Sequence, residues 1–369
     1  MKIVCPQEDL LNRLQIVARG VSQRSTVQIL SGILIRAEAG GLVELAATDM
    51  ELSVRAGLQS EVAEPGSTVL TGRLLLEIVR ALPTQPVTLE QAAGSGAVKL
   101  SCGPSEYSLH SQGAEDFPHL PEASGPAFAV DRTAFVTTIN HVARAASKDE
   151  SRPVLTGVLV EFGDGTVTMA ATDSYRLSVK EAALPGSGGD AQAIVPARAL
   201  MELSRIATAA AADTIDVSIG ENQIVFGVDG VALSARRIDG QFPNYRQLVP
   251  QTFDHEIPAS REELLDVVRR TSSVLMTHRA LPLRLAFQQG QLTVSAQTQD
   301  VGEAHESMPV DFHGEPMEIG FNAEFLRDGI ESVEGDTVKL KLTSPLRPGL
   351  VQGEDGSFSY LIMPIRLST

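Results

Sequence analysis

The 369-residue sequence has little of what membrane proteins and disulfide-rich proteins need. It has no tryptophan, only 4% aromatic residues and two cysteines, Cys5 and Cys102. Two cysteines cannot form a disulfide framework for a chain of this length, so we expect small buried hydrophobic residues in a reducing cytoplasm. No apolar run approaches the roughly 18 residues of a membrane span, and we expect no membrane contact.

Positive charge is also scarce. Lys and Arg total 30 against 46 Asp and Glu, a formal net charge of −16. Such a balance argues against a protein that binds nucleic acid with its whole surface, although it allows a local basic patch.

The residues of common catalytic and metal sites do not cluster. The seven histidines are scattered, neither cysteine has a Cys-x-x-Cys partner, and no phosphate-binding glycine loop or nucleophile elbow follows a predicted strand. We therefore expect no catalytic residue, no metal ion and no cofactor.

The most informative pattern in the sequence is a long internal repeat. Ala46-Ala47-Thr48-Asp49 returns as Ala170-Ala171-Thr172-Asp173, an offset of 124 residues, and Phe117-Pro118 returns 125 residues later as Phe242-Pro243. A period near 125 is the size of an autonomous domain rather than of a solenoid unit. The sequence predicts three related domains, at residues 1–125, 126–254 and 255–369.

Each domain is predicted to be α+β, with two helices packed on antiparallel sheet. Leu10, Leu14, Val17 and Val21 form one apolar helical stripe, and Phe135, Ile139 and Val142 repeat it. The second helices are expected to follow Thr71 and Asn322 as N-caps and to begin at Pro196 as N1. Asp164-Gly165 and Asp229-Gly230 predict tight hairpins, and Ser260 to Glu263 predicts a capping box.

Arginines recur on the predicted helices. Arg73 and Arg80 lie seven residues apart, hence on one face, and Arg198 and Arg205 repeat them 125 residues later. Arg19, Arg144 and Arg269 also share a spacing of 125 residues. In the third domain the positions matching Arg73 and Arg80 are expected to be Ala323 and Ile330. The alternative interpretation is an ordinary solvated helix face with internal pairs, for example to Glu77.

Four segments, in this order along the chain, resemble the bacterial sliding clamps, the beta subunits of DNA polymerase III holoenzyme. They are Arg152 to Leu159, Ala171 to Ser178, Phe242 to Tyr245 and Tyr360 to Leu367. The resemblance implies that two chains close head to tail into a ring of six domains. It implies a non-catalytic processivity factor that encircles duplex DNA irrespective of sequence, in the cytoplasm and at the nucleoid during replication. The implied partners are a second copy of the chain, the polymerase III catalytic subunit, the clamp loader, and other polymerases and repair proteins that carry short clamp-binding motifs.

The resemblance also implies three sets of site residues. The DNA-facing set, called here the basic set, is Arg24, Arg73, Arg80, Lys148, Arg152, Arg198 and Arg205. The partner-peptide pocket is Leu155, Thr172, Tyr175, Arg176, Leu177, Pro243, Leu248, Asn322, Phe325, Met363, Pro364, Ile365 and Arg366. Ser174 and Tyr175 stand where several relatives have Gly-His, so the rim of the pocket is expected to differ in shape.

The third set is the dimer interface, formed by Tyr107, Val274, Leu275, Glu303 and Glu306. Relatives often have arginines on the edge that contains Tyr107, and this chain has none from Cys102 to Tyr107. Packing of Tyr107 is therefore expected to matter more than charge.

Two other functions compete with a clamp. One is an acidic three-domain protein-interaction scaffold without DNA contact, which predicts no clustering of basic residues. The other is a hydrolase that uses Asp49 or Asp173, which predicts a perturbed carboxylate beside a positioned base. The repeated Thr-Asp pairs are better explained as turns at strand ends.

Overall fold

The computed structural model describes residues 1–22, 26–92, 94–123, 127–184, 190–275 and 281–367. These residues contain six α-helices and 25 β-strands. The helices are α1 (Gln7–Val17), α2 (Gly72–Ala81), α3 (Arg132–Val142), α4 (Ala197–Thr208), α5 (Arg261–Ser272) and α6 (Ala323–Glu331). The strand pairs found in the described residues are antiparallel, which confirms the predicted α+β class.

The first compact unit comprises Met1–Arg132 and Glu202–Arg237. Its strands form one 13-stranded sheet, in the order β10-β15-β16-β17-β4-β3-β2-β6-β9-β8-β7-β1-β5. These strands are β1 (Lys2–Pro6), β2 (Gly32–Ala37), β3 (Leu42–Thr48), β4 (Leu52–Gln59), β5 (Glu61–Glu64), β6 (Gly66–Thr71), β7 (Pro86–Glu90), β8 (Ala97–Cys102), β9 (Ser105–Gln112), β10 (Ala127–Asp131), β15 (Thr214–Ile219), β16 (Gln223–Val228) and β17 (Val231–Arg236).

The second compact unit comprises Thr133–Met201 and Ile238–Thr369. It has an eight-stranded sheet, β14-β11-β12-β13-β25-β24-β23-β18, and a four-stranded sheet, β21-β20-β19-β22. These strands are β11 (Gly157–Gly163), β12 (Thr166–Thr172), β13 (Arg176–Ala183), β14 (Ala191–Pro196), β18 (His255–Ser260), β19 (Pro282–Gln288), β20 (Gln291–Thr298), β21 (Gly302–Pro309), β22 (Met317–Asn322), β23 (Thr337–Leu342), β24 (Gly349–Gln352) and β25 (Phe358–Ile362).

Local sequence signals produce the predicted hairpins. Asp164 and Gly165 have φ of 50° and 71°, and Asp229 and Gly230 have φ of 48° and 70°. These left-handed values are those of a two-residue type I′ turn, which Asp-Gly tolerates. The turns set the β11–β12 and β16–β17 registers.

The first helix of each repeat packs through its apolar stripe. Leu10, Leu14 and Val17 are buried in α1, and Phe135, Ile139 and Val142 are buried in α3. In α5, Leu264 and Val268 are buried, and Ser260 caps the helix by accepting the Glu263 N–H at 3.4 Å. The predicted stripe includes one residue too many. Helix α1 ends at Val17, and Val21 lies beyond the short 3₁₀ turn that follows.

One strand junction occurs twice in the chain. In the first unit β4 pairs with β17, with Val54 opposite Leu233. In the second unit β13 pairs with β25, with Ser178 opposite Tyr360. Each junction connects the strand after a Thr-Asp turn to a strand of the next repeat, and this is why both compact units include part of the central repeat. The domain boundaries at 125 and 254 stay a prediction.

Helix starts correct two details of the repeat alignment. Pro196 is the last residue of β14 and α4 begins at Ala197, so Pro196 precedes N1. Helix α5 begins 129 residues after α3, whereas α3 begins 125 after α1. Arg269 is therefore not the counterpart of Arg144 in the third repeat. The counterpart is Ser273. The shift arises from four additional residues before α5, which a fixed spacing of 125 residues does not take into account.

The third repeat also departs in its second helix. Asn322 is the N-cap of α6, and its side chain accepts the Phe325 N–H. Counted from the caps at Thr71 and Asn322, the residues matching Arg73 and Arg80 are Glu324 and Glu331. The expectation of Ala323 and Ile330 is wrong by one position. At these two positions α6 therefore has negative side chains where α2 has positive ones.

Candidate docking groove and basic helix faces

A hydrogen-bonded turn begins the candidate groove. Thr172 Oγ1 donates to the Arg176 carbonyl at 2.6 Å, and Asp173 Oδ1 accepts the N–H groups of Tyr175 and Arg176 at 2.9 and 3.0 Å. Ser174 takes a φ of 81°, where a non-glycine residue is strained. The turn fixes the backbone on both sides of Tyr175, whose side chain is 63% exposed.

The same turn is built at Thr48 in the first unit. Thr48 Oγ1 donates to the Leu52 carbonyl, Asp49 Oδ1 accepts the N–H groups of Glu51 and Leu52, and Met50 has a φ of 78°. Both aspartates are therefore turn caps, as the sequence predicts. In both turns backbone N–H groups engage one oxygen of the carboxylate, as a turn at a strand end requires. The described residues contain no group of three or more side chains suited to a metal ion.

An apolar cluster forms the floor behind the Thr172 turn. Leu159, Leu177, Phe242, Tyr245 and Leu361 are all buried in it, and Leu177 lies opposite Leu361 across the β13–β25 junction. Thr172 and Leu177 are 5% and 2% exposed, so these two predicted pocket residues shape the floor and do not form its open surface.

Arg176 is buried at the centre of a charged network. Its Nε donates to Asp173 at 3.1 Å, its Nη1 to Asp328 at 2.7 Å and to the Tyr360 hydroxyl at 3.0 Å, and its Nη2 to the Arg144 carbonyl at 2.6 Å. Burial acts to lower the pKa of Arg176, but Tyr360 and the two carboxylates outweigh it and hold that pKa above its ordinary value. Arg176 was expected to line the pocket; its donors are instead used to hold the surrounding elements together.

Phe325 and the C-terminal segment form the other side. The Arg176 guanidinium carbon lies 4.2 Å from the centroid of the half-buried Phe325 ring. Met363 N–H donates to the Tyr175 carbonyl, and Ile365 N–H donates to the Gly320 carbonyl, both at 2.8 Å. Pro364 is half-buried and Arg366 exposed. The segment after β25 is therefore held at two points, and Met363 remains 44% exposed.

The remaining predicted residues lie around the same floor. Leu155 and Pro243 are half-buried, and Leu248 is 50% exposed, with its N–H bonded to the Tyr245 carbonyl. Asn322 uses its side-chain oxygen as a helix cap, which limits what it can offer a ligand. The structure thus gathers Tyr175, Leu248 and Met363 as exposed apolar side chains near a buried apolar floor.

Sequence reasoning missed the charged rim of this groove. The Tyr245 hydroxyl and Arg246 Nη2 both donate to Glu161, at 3.0 and 2.9 Å, and the Arg246 guanidinium lies 4.7 Å from the Tyr245 ring centroid. Burial, with Glu161 adding to it, raises the pKa of Tyr245 to about 12.

The first unit contains a repeat-related groove with a different floor. Its cavity of about 340 Å³ is lined by Thr48, Met50, Ser53, Pro118 and Ser234, among other residues. Ser53 lies opposite Ser234, and the Thr48 and Ser53 hydroxyls are 2.8 Å apart. Ser53 and Ser234 stand in the places of the buried Leu177 and Leu361 of the second unit. The floor of the first unit's groove is therefore polar, whereas that of the second unit's groove is apolar.

The basic set has varied surroundings. Arg73 and Lys148 are exposed and form no ion pair within the described part of the chain. Arg80 pairs with Glu77 at 2.7 Å, Arg205 pairs with Glu202, and Arg152 pairs with Asp149 at 2.9 Å. Arg198 is exposed on α4. Arg24 lies outside the described residues. The internal pairing that was the alternative interpretation is thus present for Arg80 and Arg205.

The residues expected at the dimer interface lie on two strand edges and one short turn. Tyr107 is 38% exposed on β9, and Glu303 and Glu306 are on β21. Glu306 is already bound by Arg270 at 2.6 Å, and this hydrogen bond lowers the pKa of Glu306. Val274 is half-buried, but Leu275 is only 3% exposed. A charge at Leu275 would therefore disrupt the second unit itself and cannot isolate a dimer contact.

Comparison with known proteins defines the class. Three family models of the DNA polymerase III beta subunit match: the N-terminal domain over residues 1–121, the central domain over 129–244 and the C-terminal domain over 246–366. The chain is 33% identical to the beta sliding clamp of Streptomyces coelicolor and 32% identical to that of Synechococcus elongatus, each over 100% of both chains.

Solved structures agree over the full length. The DNA polymerase sliding clamp of Bacillus subtilis superposes with a TM-score of 0.92 at 27% identity, and that of Caulobacter crescentus with 0.91 at 29%, both covering 100% of each chain. A Pseudomonas aeruginosa sliding clamp bound to griselimycin gives 0.90 at 28%, also over 100% of each chain. The chain belongs to the DNA polymerase III beta subunit family, the beta sliding clamps. The predicted resemblance and the three-domain clamp fold are confirmed.

Proposed function

We propose that this chain is a DNA polymerase processivity factor, a ring that encircles duplex DNA and tethers polymerases through the groove at Leu177 and Met363. Family membership supports the class of function. The argument for a ring rests on the strand junction that occurs twice, between β4 and β17 and between β13 and β25. In this account the chain supplies no catalytic group, and it acts in the cytoplasm, on nucleoid DNA during replication. Among the described residues no helix has both the length and the hydropathy to cross a membrane.

Closure of the ring follows from repetition of the junction. Two junctions join three repeats within one chain. Among the described strands, two counterparts of the junction strands have no such partner: β21 at one end of the four-stranded sheet, and the segment Ser105 to His110 of β9, which has β8 on only one side. A head-to-tail second copy would pair β21 with β9 and complete the series. It would also remove two open edges that otherwise invite non-specific pairing.

The two internal junctions fix the register of the third. Thr298 Oγ1 donates to the Gly302 carbonyl, as Thr48 does to Leu52, so Ala304 corresponds to Val54. The β8–β9 and β16–β17 turns make Tyr107 the counterpart of Leu233. Tyr107 of one copy would then lie opposite Ala304 of the other. Leu233 is 1% exposed and Tyr360, in the same role, is fully buried, so Tyr107 has the position of an interface anchor.

Duplex DNA is the proposed occupant of the ring, and the basic set its contact surface. The arginines of α2 and α4 supply positive charge on helices of an otherwise acidic chain. A ring retained by topology does not need tight phosphate binding, so a few cations suffice to offset repulsion from a body of net charge −16. This arrangement favours a clamp over an acidic scaffold that never meets DNA.

The candidate groove suits a short peptide with large apolar side chains. An apolar floor, exposed Tyr175, Leu248 and Met363, and a methionine able to adapt its shape are typical of linear-motif sites. The proposed ligands are the clamp-binding motifs of the polymerase III catalytic subunit, the clamp loader, other polymerases and repair proteins. The polar floor of the first unit's groove makes that groove a poor second site for the same peptides.

Processive synthesis tests the proposal. Primer extension by a cognate polymerase III core on a primed single-stranded circle is compared with and without this chain, in the presence of the clamp loader. Long products should require the chain, and a Met363→Glu variant should restore short products. Equal product lengths with and without the chain would reject the proposed function.

A further inference from the structure

A carboxylate stands one helical turn before an arginine at the same place in two repeats. In α2, Glu77 Oε1 lies 2.7 Å from Arg80 Nη1, and in α4, Glu202 bonds Arg205 in the same i, i+3 arrangement. Glu77 and Arg80 are well exposed, with 57% and 49% of their side-chain surface accessible. The two pairs are 125 residues apart.

The third repeat has the opposite charge at this position. At the position of Arg80 and Arg205, α6 has Glu331, which is bound by Arg269 at 2.8 Å and Arg144 at 3.2 Å. Burial acts to raise the pKa of Glu331, yet these cations outweigh it and keep that pKa below its usual value. In each repeat, therefore, charge at the end of the second helix is matched by opposite charge.

Fold stability does not account for the exposed Glu77–Arg80 pair, whereas Glu202 is only 14% exposed and also bonds Arg19. Ion pairs between solvent-exposed side chains contribute little to the free energy of unfolding, because solvent screening and side-chain entropy offset the attraction. A carboxylate bound to a guanidinium does, however, occupy N–H donors that a phosphate would use, and it repels the phosphate. Its effect on an anionic ligand is much larger than its effect on the fold.

We propose that Glu77 and Glu202 limit the affinity of this chain for duplex DNA by occupying Arg80 and Arg205. The inference rests on the proposed function and adds two residues that act against binding. A ring held by topology gains mobility when each phosphate contact is weak, and a neutralised arginine supplies such a contact. Removing the carboxylate charge frees the arginine for phosphate.

The test compares charge-removing variants in linear duplex binding. Glu77→Gln keeps the size of the side chain and removes its charge. The double variant, Glu77→Gln with Glu202→Gln, frees both arginines. Because Glu202 also bonds Arg19 at 2.8 Å, the double variant removes that contact too. The Glu77→Gln single variant leaves the Glu202–Arg19 contact intact and serves as a check. The matched control is Glu44→Gln with Glu318→Gln, which releases Arg36 and Arg284 on strands with the same change in net charge.

Fluorescence anisotropy with a labelled linear duplex, measured across a salt series, gives the result. We expect the double variant to bind several-fold more tightly at low salt, with the slope of log K against log salt steeper by about 0.9 for each added phosphate contact. The single variant should show a smaller change of the same sign, and the control variant should match the wild type. An unchanged slope in the double variant, or an equal gain in the control, would overturn the inference. Retention of the wild type on circular DNA is measured in parallel, and its failure would instead reject the proposed function.

Discussion

Arg176 Nη1 donates a 2.7 Å hydrogen bond to Asp328 Oδ2, joining the turn that starts β13 to helix α6. The side chains of both residues are largely buried, with 6% and 13% of their surfaces exposed. In the first unit the residue at the place of Arg176 is Leu52, whose apolar side chain is 3% exposed and cannot form an ion pair. The β13–β25 junction, beneath the candidate groove, therefore depends on a buried charge network at a position where the β4–β17 junction has a leucine.

Replacing Arg176 by methionine should destabilise the second unit strongly. The change leaves Asp173 and Asp328 without their main buried partner, and breaking such a pair costs about 3–5 kcal/mol. Arg152→Met is the control, because Arg152 is an exposed partner of Asp149 and its loss should have little effect. Chemical denaturation followed by circular dichroism measures both; similar midpoints would contradict the role assigned to Arg176.

Met363→Glu should weaken binding of a clamp-motif peptide by at least about tenfold, equivalent to about 1.4 kcal/mol. The substitution puts a charge on the apolar wall beside Tyr175. Met50→Glu is the matched control, since Met50 is 62% exposed at the polar groove of the first unit. Isothermal titration with the C-terminal peptide of a cognate polymerase distinguishes the two grooves. Equal losses in both variants would remove the specific role of Met363.

Tyr107→Asp should shift a dimer toward monomer. The derived register puts Tyr107 opposite Ala304 of the second copy, where a carboxylate would be desolvated without a partner. Leu42→Asp is the control, because Leu42 is 47% exposed at the start of β3. Sedimentation velocity at several concentrations measures the equilibrium. A Tyr107→Asp chain that dimerises like the wild type would show that the register is wrong.

His141 should make the second unit sensitive to acid. Burial, and then Lys180 and Arg144, lower the pKa of His141 from 6.5 to about 4, with Glu334 opposing. The unfolded chain therefore binds more protons between these values, and the free energy of unfolding should fall by about 3 kcal/mol as the pH drops through this window. His141→Leu should remove this part of the pH dependence, as denaturation at pH 7 and pH 4.5 would show. An equal slope in the variant would contradict the assignment.

Local signals in the sequence predicted much of the fold. Asp-Gly turns, the cap at Asn322 and the apolar stripe of α1 depend on neighbouring residues, and all three are found in the structure. The pairing of β4 with β17 and of β13 with β25 could not be read from the sequence, because strand pairing across about 180 residues leaves no local pattern. The four-residue shift before α5 likewise misled an alignment based on spacing alone.

The candidate groove was predicted only in part. Leu177 and Met363 were expected in it, and the structure pairs the strand of Leu177 with β25, which Met363 follows directly. Arg176 stays a predicted pocket residue, and its hydrogen bonds to Asp328 and Tyr360 could not be read from the sequence. The rim formed by Glu161 and Arg246 was missed because the two residues are 85 positions apart in the chain.

Topological retention on DNA tests the central claim most directly. The chain is loaded by its clamp loader onto a nicked circular plasmid, separated from free protein at high salt, and then exposed to a restriction enzyme that linearises the plasmid. If the chain encircles DNA, it should stay on the circle at high salt and leave when the DNA is cut. Release from the uncut circle at high salt, or equal retention before and after linearisation, would contradict encirclement.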